Sequence, residues 1–212
     1  MLDNVFNSIH SSTVDEMIET FNENGIIPTK KAFQEKYKEE LEKVGKPMVV
    51  PVKPQEDCKK LCCYTNVHKL IKKYGGESIQ GYICWLGTKE MYLYFEPHII
   101  YKSPTGEIYD PTPQEDKEES LLFIQTDKTF DGNKRYPSIY VPIDKHPEVL
   151  VFCQNSVALS EWISKNSRYV EEEDVFVWDN SIEYQKLNSG CFISQMLLAH
   201  YVRSLIEDNK NG

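Results

Sequence analysis

Hydrophobic and polar positions follow two different periods on either side of a glycine pair. Between Cys63 and Tyr74 the apolar side chains Val67, Leu70, Ile71 and Tyr74 recur at the i, i+3, i+4, i+7 spacing of one helical face, which predicts a helix over 63–74. Counting back four from Val67 puts Cys63 on that inward face. Cys62 counts forward to Asn66, Lys69 and Lys73, the solvent face, and His68 points away with Lys72. Gly75 and Gly76 supply the stop. Beyond them, EMYLYFEPHIIY at 90–101 is aromatic and β-branched and predicts a strand. Ser103-Pro104-Thr105-Gly106 then reads as a type I turn with a left-handed glycine, a three-residue hairpin loop closed by Ser103 and Glu107. In that register Asp110 stands opposite Ile100 and Thr112 opposite His98. His98 and Asp110 become diagonal neighbours on one face, about 7–8 Å apart at the backbone. A loop one residue longer or shorter would send them to opposite faces.

The flanking chain predicts helices at both ends. Thr13 and Glu16 make a capping box for a helix to about Asn24, ended by Gly25; Thr29 starts a second with Phe33, Tyr37, Leu41 and Val44 on one stripe. Both are expected to pack on the core. Residues 46–57, punctuated by proline, read as an extended connector into the cysteine helix. Strands are expected at 121–125, 138–141, 149–153 and 175–178, with turn chemistry at 127–137, a solvated acidic loop at 114–119 and an acidic turn at 171–174. A short helix is expected at 155–165. A last one, about 190–207, starts at Ser189 and carries Phe192, Ile193, Met196, Leu197 and Tyr201 on one face; His200 there reads as a packed or partly exposed helix residue. The fold class is α+β: an antiparallel sheet packed on the helix that carries Cys63, with extra helices at both termini. The N-terminal helical segment spans 1–45 and the main domain 46–212, together one compact unit.

Composition narrows the function classes. The 212 residues are 40% hydrophobic and 27% charged, ordinary values for a globular chain. A net charge of −9 argues against a nucleic-acid surface, which needs clustered Lys and Arg. No run approaches the roughly 18 apolar residues of a membrane span, and the first residues lack the basic and apolar regions of a secretory signal. The six cysteines are therefore expected as reduced thiols in a cytoplasmic setting. Cys58, Cys62 and Cys63 have no second ligand pair at zinc spacing, so no metal or other cofactor is expected.

The chemistry gathers at three residues. A cysteine in the first turn of a helix faces unpaired N–H groups and a partial positive charge, which favour a thiolate and can hold an oxyanion. A lone core cysteine, a strand histidine and an aspartate before proline are each commonplace. Their order, and the hairpin that joins the last two, supply a nucleophile (Cys63), a general base and acid (His98) and an orienting carboxylate (Asp110). Tyr82 and Trp85, on the strand after the helix, are candidates for an acyl-binding wall. Asn66 either bonds locally near the helix start or touches substrate, and the local role is favoured.

The ordered set C-x-x-N-V, G-G, G-[YW]-x-x-W, a strand ending in H, and G-x-[IL]-x-D-x-T-P resembles a microbial and viral group of papain-like proteins. It is carried here by Cys63, Asn66, Val67, Gly75, Gly76, Gly81, Tyr82, Trp85, His98, Gly106, Ile108, Asp110, Thr112 and Pro113, about a quarter of the chain. The order of the three catalytic types also resembles the transglutaminase-like and NlpC/P60-like branches of that superfamily. The resemblance implies a papain-like core with the same triad. It further implies an oxyanion-hole side chain shortly before the cysteine, commonly glutamine, for which Gln55 is the nearest match. The expected activity is cysteine-dependent hydrolysis of an amide, isopeptide or ester bond in a protein, peptide or small substrate. An acyltransferase with the same triad is the alternative within the enzymes, and a non-catalytic interaction module on the same scaffold is the alternative outside them.

Overall fold

The structure is a computed structural model that describes residues 27–28, 31–114, 118–127, 135–170 and 175–211. The helix expected from Thr13, the start of the second at Thr29, most of the 127–137 turn segment, half of the acidic loop at 114–119 and the turn at 171–174 lie outside the described residues. In chain order the first elements are β1 (Ile27–Pro28), α1 (Lys31–Lys36), α2 (Lys38–Val44), β2 (Lys46–Pro51) and α3 (Cys63–Tyr74). Then come β3 (Glu77–Leu86), β4 (Tyr92–Lys102), β5 (Ile108–Tyr109), β6 (Ser120–Gln125) and β7 (Ile139–Pro142). The chain closes with α4 (Pro147–Asn166), β8 (Arg168–Val170), β9 (Val175–Val177) and α5 (Ile182–Asn211). The fold is mixed α+β, built on an antiparallel sheet in the order β2-β6-β3-β4-β5, with β1 paired to β3 and β7 to β4; β8 and β9 form a separate pair.

The central hairpin follows the sequence pattern. β3 and β4 pair over their length, from Glu77 opposite Lys102 to Leu86 opposite Leu93. Ser103 N–H donates to Glu107 O at 2.8 Å and Gly106 N–H to Ser103 O at 2.9 Å, so the three-residue loop forms with Gly106 at φ 86°. Tyr101 pairs with Tyr109 and Lys102 with Ile108, the expected register. β4 begins at Tyr92 rather than Glu90, because Thr88–Glu90 forms a short 3₁₀ turn. Alternate β4 residues face opposite sides of the sheet, as the pleat requires, and Ile100 packs with Val50 and Phe123. Leu93, Phe95, Ile99 and Tyr101 pack with Val67 and Leu70 of α3; Tyr92 packs with Val149 and Phe152 of α4 and with Leu198 and Val202 of α5.

Four expectations are corrected. The proline-rich connector contains a strand: β2 pairs residue by residue with β6 at the end of the sheet, where prolines are tolerated, and just past Pro51 a single parallel bridge joins Val52 to Asp110. The strand expected at 149–153 lies inside α4, which absorbs the short helix expected after it; a five-residue apolar run has no period that separates strand from buried helix. The second N-terminal helix breaks into α1 and α2 at Tyr37, whose ring is buried and whose hydroxyl donates to Glu90 at 2.6 Å. On α5 the buried stripe is Ser194, Leu198, Ala199 and Val202, and Phe192, Ile193 and Leu197 are exposed. Small residues on that stripe let α5 approach α4 closely, and Asn155 Nδ2 of α4 donates to Gly190 O at 3.0 Å. Among the described residues, no helix is long and apolar enough to cross a membrane.

Candidate active site

β3 covers one edge of β4. On the other edge β7 takes Tyr92 to Phe95 and β5 takes Tyr101 and Lys102. Between them, residues 96–100 have no strand partner on that edge among the described residues. A cleft of about 360 Å³ opens there. It is lined by Cys63 and Tyr64 from the first turn of α3 and by Glu96, Pro97 and His98 of β4. Thr112, Pro113 and Gln114 line it just after β5, and Arg135, Tyr136 and Ser138 just before β7. Lys60, Leu61, Ile83 and Phe176 complete the lining.

The structure brings Cys63, His98 and Asp110 together. Cys63 is 9% exposed, His98 6% and Asp110 0%. His98 Nε2 lies 3.1 Å from Asp110 Oδ2, and Cys63 lies close enough to raise the proton affinity of the same imidazole. With Nε2 on the carboxylate, Nδ1 is the nitrogen left for the thiol. Burial disfavours the charged imidazolium and is the largest single influence on His98. The Asp110 carboxylate and Cys63, through charge and hydrogen bonds together, outweigh it and hold the imidazole well above its ordinary pKa.

Asp110 is fixed on every side. Its Oδ1 accepts Thr112 N–H at 2.9 Å, an Asx turn, and its Oδ2 also accepts Gln114 Nε2–H at 2.9 Å. Its own N–H donates to Pro51 O at 2.9 Å and its carbonyl accepts Lys53 N–H at 2.8 Å, which ties the hairpin to the chain leaving β2. No side chain caps α3 at Cys62, and Cys63 and Tyr64 of its first turn line the cleft.

Other expected site residues land elsewhere. Gln55 is not an oxyanion donor here: its Nε2 donates to Lys53 O at 2.9 Å, and it lines a different hollow with Asp57, Cys58 and Lys69. Tyr82 is buried in the α3 core and does not line the cleft. Trp85 does not line it either; its Nε1–H donates to Glu96 Oε2 at 3.0 Å. The aromatic walls are instead Tyr64, Tyr136 and Phe176. Asn66 is fully buried, not on the solvent face. Its Oδ1 accepts Lys59 N–H at 3.0 Å, and its Nδ2 donates to Lys59 O at 2.7 Å and Thr112 Oγ1 at 3.1 Å. The preceding loop folds back over the start of the helix and covers Asn66, while Lys69 and Lys73 on the same face stay exposed. His68 is exposed as expected, and Tyr74 at the last turn is exposed rather than inward. Gln114, expected in a solvated loop, instead reaches the carboxylate; the Asx turn two residues earlier is the signal that the chain doubles back there. Leu61, 83% exposed at φ 62°, projects at the cleft mouth two residues before the thiol.

Among the described residues, no cluster of three metal-ligating side chains forms, and no disulfide joins the six cysteines. Comparison of the chain with protein-family models, with curated proteins and with solved structures found no match.

Proposed function

We propose that this chain is a cysteine-dependent hydrolase on a papain-like core, cleaving an amide, isopeptide or ester bond through a thioester. The observation that carries the reading is a buried imidazole bonded to a carboxylate and raised in proton affinity by a neighbouring cysteine, both the imidazole and the cysteine lining one cleft. His98 Nδ1 takes the thiol proton as Cys63 Sγ bonds to the substrate carbonyl carbon. The carbonyl oxygen, now an oxyanion, is held by first-turn N–H groups of α3. Collapse re-forms the carbonyl and breaks the bond to the leaving amine or alcohol, which receives the proton from His98. Water then attacks the thioester, His98 takes its proton, and the C–S bond breaks to release the acid and restore the thiol. Asp110 keeps the imidazole in the tautomer and orientation that both halves use.

The test is iodoacetamide labelling at neutral pH, read by peptide mass spectrometry at each cysteine, in wild type and His98→Ala. Cys63 is expected to label faster than Cys62 and Cys191, and to slow about ten-fold or more in His98→Ala. Equal rates at Cys62 and Cys63, unaffected by His98→Ala, overturn the reading.

A further inference from the structure

Two residues before His98 on the same face of β4, Glu96 brings the one carboxylate among the described residues that line the cleft. It is half-buried. Trp85 Nε1–H fixes one of its oxygens at 3.0 Å, which leaves the other for a ligand. Glu77, Glu90 and Glu107 each pair with a lysine; among the described residues no cation pairs with Glu96. Among the described residues the two cations at the cleft, Lys60 and Arg135, are exposed, and Arg135 lies over the Trp178 ring at 5.7 Å. Tyr64, Tyr136 and Phe176 add aromatic surface to the same cleft. A fixed, half-buried carboxylate among aromatic rings is the chemistry that receives an ammonium or guanidinium. The net charge of −9 draws cations in the same direction.

We infer that Glu96 is a specificity residue that selects acyl substrates with a cationic side chain of the lysine or arginine kind beside the reacting carbonyl. This rests on the thiol-hydrolase reading and deepens it. Trp85, which does not touch the cleft, acts as a positioning residue for Glu96. The residue expected as a substrate wall thus acts one step removed.

Charged thiol probes test this without a known substrate. The probes are the trimethylammonium-ethyl and sulfonato-ethyl methanethiosulfonates, with the methyl reagent as neutral reference. Each rate at Cys63 is normalised to the same reagent's rate with a free cysteine peptide. The normalised cation-to-anion ratio is expected at about ten or more at low salt, and to fall about five-fold in Glu96→Gln. Adding about 0.5 M salt to the wild type is expected to shrink it as well. A ratio near one in the wild type, or one that Glu96→Gln leaves unchanged, overturns the inference. The catalytic reading fails separately, when His98→Ala leaves the rate with the neutral methyl reagent unchanged.

Discussion

His98 couples the site to pH. Its pKa in the folded chain is raised well above the value of about 6.5 for an unfolded histidine. The folded state therefore binds this proton more tightly. The stabilisation is fully present below about pH 6.5 and is lost as pH rises through the folded pKa, at up to about 1.4 kcal/mol per pH unit for one proton. Urea midpoints from pH 5 to 9 are expected to fall above pH 6.5, and Asp110→Asn to flatten that slope. A second residue, Asn66, spends all its bonds pinning Lys59 and Thr112. Asn66→Ala is expected to cost about 1–3 kcal/mol in urea unfolding, because it strands buried partners. The contrast between residues shows what the sequence carries. Cys63, His98 and Asp110 were legible because a helix period and a hairpin register, both local, fix their directions. Gln55, Trp85, Gln114 and the burial of Asn66 depend on where a loop folds back, which no period encodes.

Between elements, the tightest constraint is at Gly81, opposite His98 on β3. A Cβ there would stand 2.1 Å from Ile124 O and 2.7 Å from Phe123 Cζ of β6. Gly81→Ala is expected to destabilise by about 2 kcal/mol or more, because the backbone of β6 has to move. It is also expected to slow Cys63 labelling, since β3 carries the strand that holds His98. Thermal melts and the iodoacetamide assay read the two effects. Legibility failed at this scale where context overrides composition: prolines read as a linker are an end strand, and an apolar run read as a strand is the first part of α4.

Taken whole, the described residues form three hydrophobic clusters, and of the three candidate catalytic residues Cys63 belongs to the one under α3. Phe152→Ala, in the core under α4 and α5, is expected to cost about 3–4 kcal/mol by urea unfolding. The native fraction of that variant is expected to keep its preferential Cys63 labelling, since the residue touches none of the three groups. The antiparallel α+β architecture was readable from the spacing of strands and turns. The break in the sheet was not, because it depends on two distant segments stopping short of each other on one edge. That break separates two design problems. Cys63 and His98 stand on a helix and a long strand locked into the core, whereas other cleft-lining residues arrive on the chain that joins β5 to β6, which also carries Asp110, and on the chain that joins β6 to β7. Lengthening the β5-to-β6 connection after Gln114, or the β6-to-β7 connection, leaves the three groups on their supports, so new preferences can evolve by insertion there while the reacting groups stay unchanged.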